Sequence, residues 1–155
     1  MKYKQIIFVT AFLSFVLFPG IIWGQEGEEG PEGISEISLF LGASSNSNET
    51  AFTIGVDYQY RISNVFGVGA ILDHATGDLK STLVAPALFL HVKNLSFTVA
   101  PGAEFSEDET TMVLRVGAEY EFELSRFAII PGVFYDTERN EEATWVYGVA
   151  FSIEL

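Results

Sequence analysis

The chain has 155 residues and is acidic, with 21 Asp and Glu against 8 Lys and Arg. That length is one domain, and so few basic residues exclude a nucleic-acid partner, because phosphate binding needs a basic face. There is no cysteine, so disulfides cannot hold a small secreted fold together.

Residues 6–18 read IIFVTAFLSFVLF, an apolar run that follows Lys2 and Lys4 and stops at Pro19-Gly20. It is shorter than the roughly 20 residues a membrane helix needs. A basic start, a short apolar stretch and a small-residue end are the pattern of a secretory signal. The expected signal peptide is 1–24, cleaved after Gly24. The next segment, 25–34, opens with QEGEEGPEG. It carries too little apolar surface to fold and is expected to be a flexible periplasmic tail.

From there the pattern changes to alternation with a period of two, the signature of strands. In 50–61, Phe52, Ile54, Val56, Tyr58 and Tyr60 share one face, and Thr53, Gly55, Asp57, Gln59 and Arg61 share the other. The same alternation predicts eight strands near 35–43, 50–61, 64–74, 80–92, 95–105, 110–123, 126–135 and 143–155. Most are long enough to cross a bilayer at a tilt. The fourth is apolar on both faces and contains Pro86, which removes a ladder donor.

The connections alternate between polar, mostly acidic loops (44–49, 74–79, 106–109, 136–142) and tight turns near Asn64, Asn94 and Ser125. An even strand number with long and short connections on opposite rims is the pattern of an up-and-down membrane barrel. The expected fold is therefore all-β, an eight-stranded antiparallel up-and-down transmembrane β-barrel over 35–155. Gly-x-x-aromatic recurs at Gly102…Phe105, Gly117…Tyr120, Gly132…Tyr135 and Gly148…Phe151. An offset of three puts glycines on one face and aromatics on the other.

Two faces leave two orientations open. A soluble lipocalin-like, ligand-binding barrel would turn the apolar face inward. The other face is rich in Gly, Ala, Ser and Thr, a poor water-facing surface but suitable for a narrow lumen. The aromatics also fall into two girdles around an aliphatic band, as a lipid-facing wall requires. The apolar face is therefore expected to meet lipid, with the loops outside the cell.

The strands GVDYQY, GAEYEF and PGVFY and the terminal segment TWVYGVAFSIEL resemble the small outer-membrane β-barrel proteins, including the OmpA and OmpX type of eight-stranded barrel domain. The resemblance covers the signal segment and 35–155. It implies a bacterial outer-membrane location, with lipid and lipopolysaccharide as surroundings. It also implies that Gly148, Phe151, Ile153 and Leu155 form the terminal signal read by the barrel assembly machinery. The family more often ends in Phe than in Leu. The resemblance implies no particular activity.

Asp57, Glu104, Arg115, Glu119 and Glu121 fall on the inward face and are expected to form a polar lumen network. Arg115 is expected to pair with Asp57 or Glu119, because buried charges need partners. His74 and His91 fall at opposite rims, which argues against a shared metal site. Neither has a serine two residues on, which argues against a nucleophile–base pair. Glu107-Asp108-Glu109 and Asp136, Glu138, Glu141 and Glu142 lack a calcium-loop pattern and read as a solvated anionic rim. The sequence thus leads to a monomeric structural scaffold with a filled polar lumen, no cofactor and no enzymatic activity. A narrow cation-preferring, porin-like channel and a surface-binding or adhesion protein are the alternatives.

Overall fold

A computed structural model describes residues 33–107, 109–138 and 143–155. The expected signal peptide and all but the end of the acidic tail lie outside these residues. Strands run as β1 (Ile34–Ser45), β2 (Thr50–Arg61), β3 (Phe66–Ala75), β4 (Ser81–Val92), β5 (Leu95–Ser106), β6 (Thr110–Tyr120), β7 (Phe122–Leu124), β8 (Phe127–Glu138) and β9 (Thr144–Glu154). A short 3-10 turn, Gly77–Leu79, lies between β3 and β4.

Each strand pairs antiparallel with its neighbours in sequence, and β1 pairs with β9. The sheet therefore closes on itself. β6 and β7 are two parts of one stave, both paired with β8, so nine strand segments make an eight-stranded barrel. Closure leaves no strand edge to satisfy, the condition for a sheet in lipid.

Alternation fixes inside and outside as expected. In β2, Phe52, Ile54, Val56, Tyr58 and Tyr60 are exposed, while Ala51 and Thr53 are buried. In β5, Phe97, Val99 and Phe105 are exposed, while Ser96, Thr98 and Ala100 are buried. A soluble barrel with an apolar interior and polar exterior would invert this pattern. β4 forms as a full strand. Val84, Leu88 and Leu90 face out, and Leu83, Ala85, Ala87 and Phe89 face in.

The lumen is less polar than expected, because β4 has apolar residues on its inward face too. One buried cluster joins Ile71, Leu83, Ala85, Ala87, Phe89, Ala100 and Val113. A second joins Phe40, Phe134, Val146 and Ala150, with Ile130 against it. Inward glycines make room for these side chains. A Cβ on Gly117 would overlap the Phe134 ring, and one on Gly42 or Gly148 would crowd Phe40. Phe40 and Phe134 meet edge to face at 6.0 Å.

Several strand ends shift by one to three residues from expectation. β1 begins at Ile34, one residue inside the expected tail. β8 runs to Glu138, three residues past its expected end. That extension carries Asp136 out of the presumed loop and into the wall, with its side chain buried in the lumen.

Candidate functional site: the lumen and its ion pairs

The lumen holds two ion-pair clusters at different heights. The upper one centres on Arg115 in β6, which is 3% exposed. Its Nε donates to Asp136 Oδ1 at 2.7 Å and its Nη2 to Asp136 Oδ2 at 2.8 Å. This is the bidentate geometry that makes an arginine–carboxylate pair strong and directional. Nη1 donates to Asp73 Oδ2. Arg115 and Asp136 are direct cross-strand partners, whereas Asp73 lies on β3, beyond β4 and β5. The Phe134 ring is 5.3 Å from the guanidinium carbon, a cation–π distance. Asp73 in turn lies over Gly55, its partner on β2, where a Cβ would collide with the carboxylate.

The lower cluster centres on Arg61, at the turn end of β2. Its Nη2 donates to Glu121 Oε2 at 2.7 Å and to Glu36 Oε2 at 3.3 Å. Glu36 is on neighbouring β1. Glu121 lies between β6 and β7, on the far side of the barrel. Gln59 Nε2 lies 2.8 Å from His91 Nε2 in the same lower part.

The expected network residues are therefore separated. Glu121 belongs to the lower cluster. Glu119 accepts a hydrogen bond from Thr98 Oγ1 at 3.2 Å. Asp57 stands on β2 between Gly55 and Arg61, and its Oδ1 is buried without a hydrogen bond among the described residues. Glu104 lines a small upper cavity of 30 Å³ together with Asp73, Arg115, Asp136 and the hydroxyl residues Ser44, Thr53 and Thr144. The expected pairing of Arg115 with Asp57 or Glu119 is corrected to Asp73 and Asp136. Counting residues from strand ends misjudges height, because strands tilt about 35–45° in such a barrel. Asp73 is two residues from the end of β3, while Arg115 is five from the start of β6. The missed signal was the parity of β8, which puts Phe134 and Asp136 on the same inward face.

The histidines lie at opposite rims and on opposite faces. His91 is buried in the lumen. His74 is on the outer wall, with Nδ1 3.0 Å from Thr82 Oγ1. Their flanking cross-strand neighbours Ile54 and Phe105 are apolar, so neither of these supplies the orienting group a catalytic pair uses. No group of three or more His, Asp or Glu with metal-binding geometry occurs among the described residues. At the chain end, Gly148 faces inward under Phe40. Phe151 and Ile153 are exposed on the outer wall. Leu155 N donates to Ser35 O at 2.9 Å.

No protein-family model matches the chain, and no curated protein matches it. Solved structures do. The N-terminal β-barrel domain of Pseudomonas aeruginosa OprF aligns with a TM-score of 0.57 and 13% identity, over 80% of this chain and 100% of that one. Yersinia pestis Ail, in a phospholipid bilayer nanodisc, aligns at 0.54 and 19% identity, over 79% and 100%. A de novo designed transmembrane β-barrel aligns at 0.52 and 14%, over 83% and 100%. These likenesses concern the fold. Together with the aliphatic outer wall, its aromatic girdles and the ion-paired lumen, they make the chain a small eight-stranded β-barrel of the outer-membrane type.

Proposed function

We propose that the protein is a monomeric, non-catalytic scaffold of the outer membrane, with its loop rim outside and its lumen closed to solutes. The observation that carries this reading is the pair of arginines reaching across the lumen. Arg115 ties β6 to β3 and β8, and Arg61 ties β2 to β1 and to the β6–β7 stave. Phe40, Phe134 and Phe89 are buried in the lumen as well. The upper cavity of 30 Å³ has room for about one water molecule, far from a continuous aqueous path. Phe151, Ile153 and Leu155 stand exposed at the turn rim, where the assembly machinery could read them as the terminal signal.

The channel reading has one observation in its favour. Inward carboxylates (Glu36, Asp57, Asp73, Glu104, Glu119, Glu121, Asp136) outnumber the inward guanidiniums of Arg61 and Arg115, so any ion that entered would be a cation. Planar-bilayer recording of the reconstituted protein and of Arg115→Ala separates the two readings. Silence in both is expected; stable cation-selective steps in the wild type would replace the scaffold with a pore. Orientation is tested separately. The chain lacks cysteine, so Ser47→Cys introduces a single thiol at the loop rim. A membrane-impermeant maleimide should label it on intact cells, and labelling only after lysis would invert the barrel.

An adhesive role, of the kind named in Ail as the attachment invasion locus protein, has less support. The loop-rim connections here are short, whereas a stable protein interface takes about 800 Å² per partner.

A further inference from the structure

The polar-tipped aromatics of the loop rim are gathered on one side of the barrel. β2 and β5 carry phenylalanines there, Phe52 and Phe105. Tyr135, Trp145 and Tyr147 all stand on adjacent β8 and β9, with Tyr135 and Trp145 in register. A girdle that only anchored the barrel would need them spread around the circumference.

The neighbouring strand makes a step beside them. On β1, Ser45 pairs with Trp145 and Ala43 with Tyr147, so a low column adjoins a tall one. The result is an outward-facing groove of 670 Å³ with Tyr135, Trp145 and Tyr147 as one wall and Ser45, Asn46 and Ser47 above. Among the described residues, those lining it are uncharged. Trp145 is 53% exposed. The Tyr135 and Trp145 rings meet edge to face, 4.8 Å apart at 62°. Both rings line the groove. Asn46 is held in place, its Oδ1 accepting from the N–H groups of Asn48 and Glu49 at 3.0 and 2.8 Å.

We propose that this groove is a binding site for the uncharged sugar headgroup of a glycolipid in the outer leaflet. The C–H faces of a pyranose match aromatic faces, and its hydroxyls match the serine, asparagine and tyrosine groups, the usual division between an apolar wall and a few placed polar groups. Among the described residues the lining offers no lysine or arginine to a phosphate headgroup. The groove opens sideways at the end of the aliphatic band, so a ligand whose headgroup sits at the interface reaches it without leaving the membrane. The outer leaflet follows from the orientation proposed above, which the Ser47→Cys labelling tests independently of binding.

Trp23 and Trp145 are the two tryptophans of the chain. In the full chain carrying Trp23→Phe, Trp145 therefore reports on the groove alone. The protein is reconstituted into phosphatidylcholine vesicles, then into vesicles with added digalactosyldiacylglycerol or added phosphatidylglycerol at equal mole fraction. The galactolipid should shift Trp145 emission and reduce its quenching by acrylamide in a saturable way, and phosphatidylglycerol should not. Tyr135→Leu should weaken the response by about fivefold, the scale of one lost aromatic contact. If that variant fails to show heat-modifiable migration, Tyr147→Phe takes its place and should also weaken it. An equal response to both lipids, or no response to either, overturns the site. The same saturable response to the free disaccharide in phosphatidylcholine vesicles would overturn the membrane source and assign the groove to a soluble sugar.

Discussion

Arg115 is nearly inaccessible and bonded to two carboxylates, both almost as buried. Removing one partner of such a cluster leaves uncompensated charge, which destabilises by about 3–5 kcal/mol. Arg115→Ala should therefore lower the unfolding free energy of vesicle-inserted protein, read from its urea titration, by that amount. Arg115→Lys should restore only part of it, because an ammonium cannot make the bidentate contact with Asp136. Equal stability of wild type and Arg115→Ala would show that the cluster is not what holds the upper lumen. Gly117 acts through space instead of charge. Gly117→Ala should cost about 1–3 kcal/mol by overpacking Phe134, and Phe134→Leu in the same chain should recover part of the loss. At the loop rim, Lys80 Nζ and Glu107 Oε1 are 2.6 Å apart and both well exposed. Their hydrogen bond holds Glu107 below the usual carboxylate range and Lys80 above the usual lysine range. Glu107's contribution is present above the ordinary carboxylate pKa and disappears as pH falls through its lowered value. Lys80's is present below the ordinary lysine pKa and is lost as pH rises through its raised value. The pair is thus intact across the neutral range. The carboxyl carbon shift of Glu107 should titrate at higher pH in Lys80→Ala than in the wild type; an unchanged midpoint would dissolve the pair.

Prolines set the weak points of the strands. The β4–β5 ladder stops at Val84↔Ala103 and resumes at Leu88↔Val99 without a change of register. Pro86 and Pro101 therefore face one another, and neither offers an N–H. Both keep unbroken ladders on their other sides, to β3 and β6. The gap lies midway along β4, at membrane depth, where an unpaired carbonyl has no water to turn to. The double variant Pro86→Ala/Pro101→Ala should slow amide exchange at the seam-facing N–H groups of Val84, Leu88, Val99 and Ala103. Unchanged exchange there would mean that the seam is already sealed. Pro131 interrupts the next stave in the same way. Its register places it opposite Tyr120, where β6 ends and β7 begins. On the opposite side of this stave Asn94 continues the β5 ladder, its backbone carbonyl accepting from Glu121 N–H at 2.7 Å and its side chain donating to Glu121 O at 3.1 Å. The two tightest turns each place a non-glycine residue in the left-handed region, Lys93 at φ 58° and Ser125 at φ 68°. A positive φ at the first central residue of a two-residue hairpin suits the right-handed twist of its strands.

Across the whole molecule, closure and filling reinforce each other. The β1–β9 pairing joins the two ends of the sheet over ten residue pairs, from Glu36↔Glu154 to Ser45↔Trp145. The arginine clusters then brace strands that are not neighbours, so the wall resists flattening as well as unzipping. The outer wall suits lipid, with aliphatic residues between a turn-rim girdle of Tyr58, Tyr60, Tyr120 and Phe122 and a loop-rim girdle of Phe52, Phe105 and Trp145. Such a body should migrate faster on gels before boiling than after, and its lumen should not conduct.

The barrel was legible in the sequence because alternation is a local property. A strand with one face in lipid and one in a lumen must repeat every two residues, and Phe52 through Tyr60 does so without exception. Lipid as the outer medium was legible too, since the small residues of the opposite face suit a narrow interior better than water. Which charges meet was not legible. Asp73, Arg115 and Asp136 come from three strands, and their common height depends on tilt and shear, which no single strand encodes. The apolar inward face of the fourth strand was legible, but the packing of the aromatic residues in the lumen was not. Phe40 and Phe134 turn inward where Gly148 and Gly117 on other strands leave them room. Chain pattern alone thus determined an eight-stranded membrane barrel, and tertiary structure decided how its interior is locked, because packing across the lumen joins residues far apart in the chain.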